Sequence, residues 1–103
     1  MLPLQEKLVR DRIPEIIRKR GEVPRVRVAK EHEVDYLIRL KIVEEAQELL
    51  HSSSEEEIAD VLEALEALLE HRGIDWSTVE ATRARKKDER GGFEKRFVLE
   101  MDE

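Results

Sequence analysis

Four acidic residues, Glu45, Glu48, Glu57 and Asp60, form two pairs spaced three apart on either side of a Ser52-Ser53-Ser54 break. On a helix, residues three apart lie about one turn along and within roughly 60° of each other around the axis, so each pair presents two carboxylates on one side. Two helices that meet at Ser52-Ser53 and run back antiparallel set residues opposite one another when their numbers sum to about 105. Glu48 with Glu57 and Glu45 with Asp60 both satisfy that sum. All four carboxylates are therefore expected to converge. Two carboxylates about 6 Å apart at an effective dielectric of about 20 repel by roughly 3 kcal/mol, or about two pKa units, and four repel more. Such a cluster needs protons, a basic partner or a metal ion. Hard oxygen ligands select Mg²⁺, Mn²⁺ or Ca²⁺ over a soft metal, and Mg²⁺ commonly shares its shell with phosphates. The plainer reading is a solvated acidic face, since Glu44, Glu63, Glu66 and Glu70 show how freely this chain uses acid, and Lys41 is spaced to pair with Glu45.

The elements that must position these groups are mostly helical. Over residues 31–51, Ile38, Ile42, Ala46, Leu49 and Leu50 fall on one face and Lys41, Glu44 and Glu48 on the other, with Glu45 at the border. The serines end this helix and start the next, with Ser53 and Glu56, or Ser54 and Glu57, spaced as a capping box. A second helix runs to about Arg72 on a stripe of Ile58, Val61, Leu62, Leu65, Leu68 and Leu69, stopped by Gly73. A third begins near Asp75 or Ser77 and ends at Gly91-Gly92, its basic C-terminal end complementing the helix dipole. Prolines 3, 14 and 24 argue against long helices in residues 1–30 and for short extended or turn elements there. Val26 and Val28 alternate with polar neighbours as in a short strand, and Phe93, Phe97, Leu99 and Met101 suggest a second strand to pair with it. The expected fold is mainly α: an antiparallel helical hairpin, a third helix, and short N- and C-terminal strands.

A length of 103 residues implies one domain, 1–103, with a modest core. Charged residues make up 43% of the chain, but apolar residues at 40% recur periodically, which argues against disorder. A net charge of −6 disfavours a nucleic acid polymer as partner. The absence of cysteine excludes disulfides, thiolate zinc sites and thiol nucleophiles. With no long apolar run, no membrane association is expected and a cytoplasmic location follows by default. The apolar stripe of the second helix is long for so short a chain, so covering by another subunit, in a homodimer or larger homo-oligomer, is expected.

Glu44-Glu45-Ala46-Gln47-Glu48 followed by Glu57-Ile58-Ala59-Asp60 resembles the EExxE and ExxD signature of the all-α nucleoside triphosphate pyrophosphohydrolases of the MazG-like superfamily. Lys7-Leu8-Val9-Arg10-Asp11-Arg12-Ile13-Pro14-Glu15-Ile16-Ile17 and Arg90-Gly91-Gly92-Phe93-Glu94 resemble a small single-domain, house-cleaning branch. The similarity extends over nearly the whole chain. One departure is the short separation of Glu48 from Glu57, which leaves less room beside the cluster for substrate-selecting loops. The resemblance implies hydrolysis between the α and β phosphates of a nucleotide, releasing monophosphate and pyrophosphate. It also implies Mg²⁺, with Mn²⁺ as substitute, held by Glu45, Glu48, Glu57 and Asp60. Glu44 would be an auxiliary ligand or base, or simply a surface acid.

Phosphates call for cations. Lys87 and Arg90, one turn apart beside Gly91-Gly92, are the first candidates and Lys86 the next, weighed against dipole compensation. Lys7, Arg10 and Arg12 are candidates from the N-terminal segment, although Asp11 is placed to pair locally with either arginine. Trp76, Tyr36 and Phe93 could stack on a base, with core packing the preferred reading for the first two. His32, His51 and His71 lack ligand spacing and read as helix-end or surface residues. Two alternatives to this nucleotide hydrolase stand: a phosphoribosyl-ATP pyrophosphohydrolase with the same acid pattern, and a non-catalytic helical interaction protein.

Overall fold

The computed structural model describes residues 6–101, which leaves Pro3 outside. The chain is mainly helical, with α1 at Ile13–Lys19, α2 at Val34–Ser52, α3 at Glu55–Arg72 and α4 at Trp76–Arg90, and a 3-10 turn at Glu31–Glu33 leading into α2. It divides into two compact units, one ending at Arg72 and the other starting at Gly73.

In the first unit, α1 is a short helix where turn or extended structure was expected. Pro14 sits in its first turn, where a missing N–H costs no intrahelical bond and the fixed φ suits the helix. Helices α2 and α3 pack on each other. Ser53 ends α2 in the left-handed region, at φ 53°, with its N–H donating to the Leu49 carbonyl at 2.9 Å. The Ser54 hydroxyl then accepts the Glu57 N–H at 3.3 Å, so of the two expected caps the Ser54 one starts α3. At the far ends, Arg72 of α3 donates twice to Asp35 of α2, at 2.7 and 3.1 Å, and Arg39 donates to the same carboxylate. Arg27 bridges Glu33 and Glu6.

Ile38 on α2 and Ala64 on α3 are the buried apolar side chains among the described residues. Leu37, Ile42, Leu49, Val61, Leu65, Leu68 and Leu69 are half-buried around them. Ala46, Leu50, Ile58 and Leu62, expected in the core, are exposed, Leu50 by 77%. One neighbouring helix covers only a narrow seam of each partner, and these four fall outside it. Tyr36 is also exposed and carries the Arg39 guanidinium over its ring.

In the second unit, α4 stops at Gly91, whose φ of 83° suits a residue without Cβ and whose N–H donates to the Lys87 carbonyl at 2.7 Å. Trp76 is exposed at its start rather than packed in a core. Neither expected strand forms among the described residues: 24–30 and 93–101 lack regular structure. A strand needs a ladder partner, whereas Arg96 turns back to donate to the Phe93 carbonyl at 3.0 Å. Phe93 is 95% exposed, so alternation in this tail reflects no buried face.

Candidate metal centre

Helix α2 supplies Glu45 and Glu48, one turn apart, and α3 supplies Glu57 and Asp60 from its first two turns. Each contributes one carboxylate oxygen to a group in which all four oxygens lie within 4.8 Å of one another. The cluster is graded in burial. Glu45 is 7% exposed, Glu57 and Asp60 are half-buried, and Glu48 is exposed. One oxygen each of Glu45 and Glu57, the Oε2 atoms, is buried without a hydrogen-bond partner. A buried carboxylate oxygen left without a partner loses its hydration with no return, so these two atoms call for a cation or proton.

The donor set fits a hard divalent ion. Opposite ligands stand about 4.1 Å apart around octahedral Mg²⁺ and about 4.6–5.2 Å apart around Ca²⁺. Four oxygens all within 4.8 Å of one another are close enough to share one such ion. Beside the cluster, Glu44, Gln47, Glu48, Leu50, His51, Ser52 and Glu57 line an open groove at the α2–α3 turn.

Electrostatics follow the burial. Desolvation raises the Glu45 carboxyl above its ordinary value, Glu48 and Asp60 push the same way, and Lys41, at 3.3 Å, opposes them without cancelling them. Glu44 behaves oppositely. Burial is the largest influence and raises its carboxyl, but Lys7 and Lys41 together outweigh it and hold the group below its ordinary value. Lys7 is raised in turn, chiefly by its hydrogen bond to Glu44. Both Glu44 oxygens are engaged, one by Lys7 at 2.9 Å and one by Lys41 at 3.1 Å, and the residue stands apart from the four-carboxylate group.

Among the N-terminal cations, Arg10 donates to Asp60 Oδ1 at 2.7 Å rather than pairing with Asp11. Arg12 occupies the position just before α1 without a side-chain capping bond, and it makes no ion pair among the described residues. Lys86, Lys87 and Arg90 lie in the last turns of α4, in the second unit, where Lys87 is 3.9 Å from Glu94. The histidines are all exposed, His51 and His71 in the last turns of α2 and α3 and His32 in the 3-10 turn. Sequence reasoning missed the bond between Arg10 and Asp60, fifty positions apart, for which no local signal exists. The Lys41–Glu45 contact, by contrast, follows from i,i+4 spacing. No family model, curated protein or solved structure matches this chain.

Proposed function

We propose that the protein is a Mg²⁺-dependent nucleotide pyrophosphohydrolase that cleaves between the α and β phosphates of a nucleoside triphosphate, giving monophosphate and pyrophosphate. On this reading α2 and α3 form an antiparallel hairpin, and Glu45, Glu48, Glu57 and Asp60 hold the metal. The observation that carries it is the pair of buried, unpartnered oxygens of Glu45 and Glu57 inside a four-carboxylate group. The motif resemblance connects such a group with nucleotide hydrolysis. A divalent ion held by these four carboxylates would supply Lewis acidity toward a phosphate and a means of activating water.

The remaining work falls to the chain itself. Glu45, the most buried ligand, anchors the centre, while exposed Glu48 leaves a side open to substrate. Lys7 and Arg10, bonded to Glu44 and Asp60, supply positive charge beside the site for a polyphosphate. Glu44, held ionised by two lysines, serves as an anionic support rather than a ligand. The exposed Val43, Leu50, Ile58 and Leu62 support completion of the bundle by a second copy.

The test is a panel of canonical and damaged nucleoside triphosphates assayed for pyrophosphate release with and without Mg²⁺, in wild type, Glu57→Gln and Asp60→Asn. Release that requires Mg²⁺ and disappears in both variants is the expected result. No release from any nucleotide, together with no effect of Mg²⁺ on melting, would leave the helical interaction protein as the better reading.

A further inference from the structure

Of the cations around the cluster, Arg10 has an unusual position. Lys41 is anchored on α2 and shared between Glu44 and Glu45, and Lys7 binds Glu44, outside the four-carboxylate group. Among the described residues Arg10 alone bonds Asp60, a member of that group. Its place is also cheap to leave. Residues 6–10 have no regular structure, the following α1 contains no buried residue, and the Arg10 side chain is about half exposed. Two ion pairs, Lys7 to Glu44 and Arg10 to Asp60, tie this segment across α2 and α3.

We propose that Arg10 is a placeholder cation: it neutralises Asp60 while the centre is empty, is displaced by the divalent ion, and is thereby freed to take a phosphate of the substrate. The inference rests on the metal-binding reading above and not on the identity of the nucleotide. A guanidinium at hydrogen-bond distance from a ligand carboxylate and a dication on that carboxylate repel each other. The half-exposed partner on a segment without regular structure is the one that yields. Binding of the ion thus exchanges one cation for another at Asp60 and exposes an arginine beside the new charge, so that metal loading precedes and prepares phosphate capture. The opposite arrangement is also physically definite: an arginine that orients a ligand from outside its shell strengthens metal binding.

Mg²⁺ titration by calorimetry without nucleotide, in wild type and Arg10→Gln, separates these. An exposed pair of this kind is worth enough that its removal as a competitor should tighten Mg²⁺ by about 1.5- to 5-fold. Equal or weaker binding in the variant overturns the proposal. A second measurement uses wild type alone: Mg²⁺ should speed tryptic cleavage after Arg10 while leaving cleavage after Arg20 unchanged, and unchanged or slower cleavage after Arg10 counts against displacement. Absence of any Mg²⁺ binding by wild type would overturn the metal reading itself and this inference with it. Wild-type binding without the variant's gain overturns only the placeholder.

Discussion

Replacing Glu45 with glutamine should stabilise the metal-free protein and abolish its stabilisation by Mg²⁺. At 4.8 Å and an effective dielectric of about 20, each ionised neighbour in the cluster disfavours the Glu45 charge by about 3.5 kcal/mol, against roughly 5 kcal/mol gained from Lys41 at 3.3 Å. Desolvation of this buried carboxylate, with repulsion from Glu48 and Asp60 added, outweighs Lys41 and raises the Glu45 carboxyl. A proton limits the penalty. At pH 7 it cannot exceed about 1.4 kcal/mol for each pH unit above the ordinary value of 4.5, or about 3.4 kcal/mol in all. Solvent screening at the exposed Glu48 and the lost Lys41 contact reduce this further, so a gain of about 1 kcal/mol is expected, raising Tm by about 4–8 °C. Glutamine keeps the shape and gives Glu57 an amide donor in place of a repelling oxygen. With Mg²⁺ at about 100 times its Kd, wild type should gain about 2.7 kcal/mol and the variant little or nothing. Melting followed by circular dichroism in chelator and in Mg²⁺ should therefore show the order of the two proteins inverting. A variant less stable than wild type in chelator, or one with an undiminished Mg²⁺ shift, would refute the electrostatic account.

Three further outcomes follow from the same contacts. Because the folded-state Glu45 carboxyl is raised, its contribution to stability is present below its ordinary value of 4.5 and is lost as pH rises through its folded pKa. Glu44 is lowered, so its contribution is present above 4.5 and is lost as pH falls through its folded pKa. Tm measured against pH should show a decline above 4.5 in wild type that Glu45→Gln and saturating Mg²⁺ both remove. Ser54→Ala should lower stability by about 1 kcal/mol, because it removes the hydroxyl cap on the Glu57 N–H and leaves that group only the Ser54 carbonyl, and should also weaken Mg²⁺ binding in a calorimetric titration. Arg72→Gln should lower Tm slightly in dilute buffer and not in about 1 M salt, since its partner Asp35 is a screened, solvent-facing carboxylate held low by Arg72 and Arg39.

Local pattern accounts for what could be read from residue order. The apolar repeat and the serine break specify where α2 and α3 meet within a few residues, and Gly73 and Gly91 mark the ends of α3 and α4. The same short turn made the grouping of Glu45, Glu48, Glu57 and Asp60 legible, because helical spacing and a tight connection leave few ways to arrange them. Alternation in 93–101 misled for a related reason: period two records a strand only when one face is buried, and among the described residues Phe93 and Phe97 are both exposed.

The amino-acid sequence by itself determined the spans of α2, α3 and α4 to within a few residues, narrowed the α3 cap to Ser53 or Ser54, and set the acid spacing, all of which depend on interactions within about four residues. Tertiary structure decided which carboxylate each cation takes: Lys7 goes to Glu44 across 37 positions and Arg10 to Asp60 across 50. It also decided that Ile38 and Ala64 are buried while Leu50 and Ile58 are not, and that Glu45 rather than Glu48 loses its water. Burial and long-range pairing depend on the surface another element presents, and no periodicity within a single helix encodes that surface.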